Sequence, residues 1–404
     1  MQTQGVLDAR PSSASRWLGD ASGAVADLGV LLPIAGALVL LNGFDAGTVL
    51  VCFGALGVAA GSWFRVPMPV QPIKAAAAIA VAQDLPPQTL AAAGIVLGVS
   101  LLAMRVTGLT RLITPLFALP VVRGLQLGVG LLLIKAAFGA QLDVHGMGIA
   151  VGMVLAGLLV AASMSARTLP VALVTALGGL SWGIAQHGLP DPAPALWRPE
   201  LLLGALEPST LLQAAVLLVL PQIPLTFGNA VIAVSDLQRT YFGARAARVN
   251  PDSVSVSCGA ANVLTGLLGG VPMCHGAGGL TAHYRAGARS SRMNIMLGSS
   301  LLVAGLAFGP GALATLTLLP ASVLMAFLLF AGVMHAALVL DQRGAALAVV
   351  LPMGLAGLIT GNLAIALALG MLVQWAPRLF GVRPPARAQN PAQQALGDPP
   401  ASHP

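Results

Sequence analysis

Apolar runs near 20 residues long recur from about residue 24 to residue 377 of this 404-residue chain, and each can cross a hydrocarbon core about 30 Å thick as a helix. Charged residues make up 8% and hydrophobic residues 57%, where a soluble domain carries about 25% charged residues. A chain with so little polar surface cannot face water all round. It is predicted to be an all-α integral membrane protein whose function lies inside the bilayer.

Fourteen membrane segments are expected, near 24–41, 46–64, 72–83, 88–104, 112–138, 146–164, 170–186, 210–235, 253–269, 275–285, 293–309, 313–338, 344–359 and 361–377. With a cytoplasmic N-terminus, sixteen arginines, among them Arg65, Arg105, Arg245 and Arg343, fall on the cytoplasmic side and only Arg198 falls outside. The positive-inside rule therefore supports this count and orientation together. The outer loops carry acidic residues instead, including Asp45, Asp84 and Glu207.

The long outer loop 187–209 divides the chain into a first seven-segment unit, 17–186, and a second, 210–377. The flanking tails are 1–16 and 378–404; both are placed in the cytoplasm, and the Pro-, Ala- and Gln-rich second one reads as disordered. An odd number of segments per unit turns the units over relative to one another, so homologous halves would form an inverted repeat. Residues 57–72 and 262–277 support homology, sharing Val58/Val263, Gly61/Gly266, Val66/Val271, Pro67/Pro272 and Met68/Met273 at a constant offset.

Both triplets Val-Pro-Met precede a short segment. Pro67-Met68-Pro69-Val70-Gln71-Pro72 cannot be helix interior, because each proline lacks an N–H donor. It reads as extended chain with Pro72 at the first helical position, followed by a helix too short to span. Pro272-Met273-Cys274-His275 leads likewise into Gly276-Ala277-Gly278-Gly279. Irregular backbone at membrane depth must be buried in protein or line a cavity. Two half-helices would thus begin near mid-membrane, with N–H groups and positive dipole ends suited to an anion. Gln71 and Lys74 belong to the first element; His275, Gly276, Ala277 and Gly278 belong to the second. Packing kinks without a ligand are the alternative, and they do not by themselves call for Lys74.

The eighth segment carries Gln222, Thr226 and Asn229 on one helical face, a pattern that serves a substrate or a neighbouring helix. Asp27 is either a coupling carboxylate or an interfacial cap on the first helix. Lys135 is expected to snorkel outward, and Arg123 has no assigned role. The basic residues lie in short loops among few aromatics, which argues against nucleic acid. Cys52, Cys258 and Cys274 show no metal-ligand or disulfide spacing. No cofactor or metal is expected, and the polar N-terminus does not read as a cleavable signal peptide.

At Ala26-Asp27-Leu28-Gly29, Pro67-Met68-Pro69-Val70-Gln71-Pro72-Ile73-Lys74, Pro221-Gln222-Ile223-Pro224-Leu225-Thr226-Phe227-Gly228-Asn229-Ala230 and Pro272-Met273-Cys274-His275-Gly276-Ala277-Gly278-Gly279, the sequence resembles the molybdate transporter family related to the SulP/SLC26 sulfate permeases. The resemblance implies a core of segments 1–4 and 8–11 and a gate of segments 5–7 and 12–14. It also implies alternating access, with molybdate or sulfate bound between segments 3 and 10. Ala26 and Val30 stand where the family usually has Gly and Thr, and the resemblance to the molybdate branch leads one to expect no cytoplasmic STAS domain of the sulfate-permease kind. A proton or sodium ion is the candidate coupling species, a homodimer the candidate assembly, and the bacterial inner membrane the expected location.

Two other functions compete. A nucleobase permease of similar layout usually places acidic residues on segments 8 and 10, and 210–235 and 272–285 contain no Asp or Glu. A membrane enzyme built on Cys274 and His275 lacks a third group, and adjacent residues rarely face one another. The chain is therefore expected not to be an enzyme.

Overall fold

Water is absent from the hydrocarbon layer, so apolar runs satisfy their backbone groups internally as helices. The computed structural model describes residues 13–139, 144–164, 170–188, 196–312 and 318–379. The expectations for residues 1–12 and 380–404 lie outside these ranges. Seven described helices are long and apolar enough to cross a membrane, and the bent pair Pro208–Val219 and Gln222–Ala246 makes up to eight. Shorter helices, including Lys74–Ala82, Val171–His187, Pro251–Leu267, Ala277–Arg285, Leu347–Thr360 and Leu363–Leu379, complete a multi-pass helical membrane fold.

Helix contacts between distant parts of the chain organise the interior. Ala46–Phe64 packs along Arg292–Phe308, Pro87–Val106 along Pro251–Leu267, and Leu119–Ala137 against both Ala321–Ala336 and Leu347–Thr360. Glycines let the backbones approach at three of these crossings. A Cβ on Gly54 would lie 2.7 Å from the Gly298 carbonyl oxygen, one on Gly98 2.6 Å from that of Gly259, and one on Gly130 2.8 Å from that of Gly332.

Three expected boundaries are corrected. The helix Ser13–Val25 precedes the first expected segment and is separated from Leu28–Asn42 by a turn at Ala26 and Asp27. Asp20 fastens it to the far half of the chain by accepting from the backbone N–H groups of Arg289 (2.8 Å) and Ser290 (2.9 Å). Its charged residues hid it from an apolar-run reading. Pro72 is not the first helical residue: it lies in a strand, and the helix starts at Lys74 after Ile73. The expected segment 210–235 continues as helix to Phe242, with π-helical stretches at Ala215–Val219 and Thr226–Ala233. It therefore includes Asp236, an acidic residue that the expected boundary left out.

Candidate functional site

The two Val-Pro-Met triplets lead into a two-stranded antiparallel sheet, Gln71–Pro72 (β1) against Met273–Cys274 (β2), with Gln71 opposite Cys274 and Pro72 opposite Met273. The broken elements of the two halves thus meet each other directly. Ile73 N–H also donates to the Pro272 carbonyl at 2.9 Å.

Extended chain with three prolines leaves carbonyls that no helix or long sheet can satisfy, and buried carbonyls need donors. Side chains supply them. Gln238 Nε2 donates to the Pro67 carbonyl at 2.6 Å, Asn294 Nδ2 to that of Met68 at 2.5 Å, and a His275 ring nitrogen to that of Pro69 at 2.7 Å. Asn294 Oδ1 also accepts from Met68 N–H at 2.9 Å. On the other element Asn262 grips Met273 in the same way, accepting from its N–H at 2.9 Å and donating to its carbonyl at 2.7 Å.

These clamps hold two short helices, Lys74–Ala82 and Ala277–Arg285, with no side-chain hydrogen bond capping either N-terminus. Their first N–H groups have no helical acceptor. Lys74 Nζ lies on the junction: it donates to Gln71 Oε1 at 2.9 Å, and a Cβ on Gly276 would stand 3.6 Å from it. Gln71 in turn donates from Nε2 to Asp27. A Cβ on Gly279 would come within 3.0 Å of Asp27 Oδ2. The chain of contacts ends at His283, whose Nε2 is 3.8 Å from Asp27 Oδ2. Its Nδ1 faces the Gly23 carbonyl at 2.8 Å and must carry the proton of that bond, because a carbonyl only accepts.

The structure brings Asp27, Gln71, Lys74 and Gly276 into one cluster, with Ala277 in the first turn of the second short helix. It treats five other candidates differently. His275 has no ring nitrogen free for a ligand, since Nδ1 meets Pro69 and Nε2 meets Ser257 Oγ at 2.9 Å; the imidazole fastens the two broken elements together. Gly278 faces Leu133 (3.2 Å from the position of a Cβ), Val129 (3.6 Å) and His335 (3.9 Å). Gln222 Nε2 donates to Thr226 Oγ1 at 2.8 Å, so these two do share a face, but no hydrogen bond among the described residues joins them to Lys74. Asn229 lies within the π-helical stretch, where i→i+5 bonding shifts it from strict α register, and its Oδ1 is buried without a partner among the described residues.

Asp27 stands at the N-cap position of Leu28–Asn42, but its side chain is buried at 3% exposure and makes no capping hydrogen bond. Lys135 is exposed, as expected. Sequence reasoning missed His283 and His335. His283 shares a helical face with Gly276 and Gly279 at i+7 and i+4, a signal available from spacing alone. His335 sits in an apolar run and gave no such signal.

Comparison with solved structures identifies the fold. The transmembrane domain of a cyanobacterial bicarbonate transporter, BicA, superposes with a TM-score of 0.54 at 17% identity, covering 89% of this chain and 97% of that one. SLC26A9 superposes at 0.51 with 13% identity, covering 92% of this chain and 66% of that one. The protein thus has the SLC26/BicA type of membrane-transporter fold. It belongs to the molybdate transporter family: the family model described as "Molybdate transporter of MFS superfamily" matches residues 19–133 and 214–334. It is 32% identical over 369 residues to molybdate transporter 2 of Arabidopsis thaliana, covering 77% of this chain and 76% of that protein. Molybdate transporter 1 of the same plant is also 32% identical, covering 78% of each.

Proposed function

We propose that the protein is a secondary transporter of a tetrahedral oxyanion, molybdate in the first place, which it binds between the N-termini of Lys74–Ala82 and Ala277–Arg285 and moves by alternating access. The observation that carries this reading is the position of Lys74. An ammonium with two unused donors lies beside the uncapped start of the opposite short helix. A cation and two positive helix ends converging in a low-dielectric site favour a multiply charged anion. The Arabidopsis relatives, named as molybdate transporters, favour molybdate over sulfate. A nucleobase is less well served: Asp236 lies on the long eighth helix but is already paired with Arg123 at 2.8 Å.

The proposed frame is fourteen segments in two inverted units, 17–186 and 210–377, with segments 1–4 and 8–11 as core and 5–7 and 12–14 as gate. Its support is the pattern of helix pairs. A pseudo-twofold exchanging the units turns the crossing of segments 2 and 11, at Gly54 and Gly298, into that of segments 9 and 4, at Gly259 and Gly98. Gly54 and Gly259 have the same sequence offset as Met68 and Met273. Both termini would then be cytoplasmic, in a bacterial inner membrane.

Asp27 and His283 are the proposed coupling pair. A dianion beside Asp27 is repelled unless that carboxylate holds a proton or its partner imidazole takes up a second one, so anion and proton would bind cooperatively. A cavity of ≈ 20 Å³ borders Asp27, His283 and Asn294, enough for about one water molecule. Gln222, Thr226 and Asn229 remain proposed as a polar wall on segment 8. The test is uptake of labelled molybdate into proteoliposomes, with unlabelled sulfate as competitor. Saturable accumulation that sulfate displaces only at large excess supports the molybdate reading; sulfate competing equally makes the protein a general oxyanion carrier, and no accumulation of either rejects it.

A further inference from the structure

His335 lies on the helix Ala321–Ala336, outside the broken elements, yet its side chain reaches the second short helix. It is fully buried at 0% exposure. Its Nδ1 is 2.9 Å from Thr281 Oγ1, one turn beyond Gly278. The Thr281 hydroxyl has its own acceptor in the Ala277 carbonyl at 3.2 Å. The other ring nitrogen, Nε2, is buried and has no hydrogen-bond partner among the described residues. The carbon bonded to it, Cδ2, would be 3.9 Å from a Cβ on Gly278, beside the first turn of the short helix.

A buried unpaired nitrogen costs free energy and calls for a reason. Several apolar alternatives would fill the space, as Leu133 and Val129 do nearby. The hydroxyl has one proton: given to Ala277, it leaves Thr281 accepting from Nδ1–H and Nε2 an acceptor, whereas turned to Nδ1 it puts the imidazole proton on Nε2, a free donor next to the helix end that also offers free N–H groups. An anion seated at that end completes the bond.

We infer that His335 is a further substrate-binding residue, donating from Nε2 to an oxygen of the bound oxyanion and so linking the helix Ala321–Ala336 to the substrate. The inference rests on the proposed function and gives it a consequence: when the anion is bound, a helix of the proposed gate touches the same ligand as the core.

The test is equilibrium binding of molybdate to purified full-length protein in detergent, for wild type, His335→Ala, His335→Gln and Thr281→Val. Loss of one hydrogen bond to a charged group weakens binding by about tenfold or more, and that is the expected change for His335→Ala. His335→Gln keeps an N–H donor and is expected to recover most of the affinity. Thr281→Val removes the positioning bond and leaves Nε2, so its loss is expected to be smaller than that of His335→Ala. Wild-type affinity in the alanine variant overturns the inference, as does a Thr281→Val defect equal to it, which would reduce His335 to a packing partner. If the wild type binds no molybdate or sulfate, the transport reading itself fails, a result distinct from either.

Discussion

Arg123 Nη1 lies 2.8 Å from Asp236 Oδ2, with both side chains almost wholly buried. The same guanidinium reaches Asp341 Oδ2 at 2.6 Å and Gln126 Oε1 at 3.0 Å. The triad ties Leu119–Ala137 to the end of the long eighth helix and to the chain just beyond Ala321–Ala336. In the proposed frame it bridges gate and core on the cytoplasmic side.

Removing one partner of such a pair strands the other charge in a medium that solvates it poorly. Arg123→Ala is expected to lower stability by about 3–5 kcal/mol, read as a clear fall in the thermal unfolding midpoint in detergent. Arg123→Lys should recover only part of this, since an ammonium cannot fork between two carboxylates. An unchanged midpoint in the alanine variant would mean that the pair contributes nothing to the fold.

The glycines of the second short helix should not be equivalent. A Cβ on Gly279 meets Gln71 and Asp27, whereas one on Gly278 meets the flexible end of Leu133 at 3.2 Å. Gly279→Ala is therefore expected to disrupt oxyanion binding severely, and Gly278→Ala to be the milder change. Binding isotherms for the two variants decide this, and the reverse order would show that Gly279 does not border the site.

How far the sequence carried this account depends on the kind of interaction. The broken elements were legible because proline and glycine act on their own backbone: Pro67, Pro69 and Pro72 exclude helix wherever the chain goes. The hydrogen bond of Lys74 to Gln71 was not read from the sequence, although only two residues separate them, because Gln71 lies in the strand and not on the helix. The clamps of Asn262 and Asn294 were not legible, nor was the pairing of Arg123 with Asp236, because each depends on which distant helix lies alongside. His275 misled for the same reason. An imidazole next to a glycine-rich helix start suggests a ligand, and only the positions of Pro69 and Ser257 reveal that both nitrogens are taken. The boundary at residue 235 failed because Asp236 ends an apolar run, while its buried partner lets the helix continue.

Coupling should fail separately from binding. Asp27→Asn keeps an acceptor for Gln71 but cannot take up a proton, so it is expected to bind molybdate yet lose acceleration of uptake by an acid-outside pH gradient. The readout is uptake into proteoliposomes with and without the gradient, alongside internal pH. If the asparagine variant responds to the gradient as the wild type does, Asp27 carries no coupling proton.

The central claim is that Lys74 and the two short-helix ends hold the oxyanion, and molybdate affinity of the Lys74→Ala protein tests it most directly. An ammonium bonded to a dianion is worth about 1.5–3 kcal/mol, or roughly ten- to a hundredfold in affinity. The account predicts a loss of that size in a variant that remains monodisperse and unfolds at a temperature close to the wild type. Wild-type affinity in Lys74→Ala would contradict it and place the anion elsewhere in the fold.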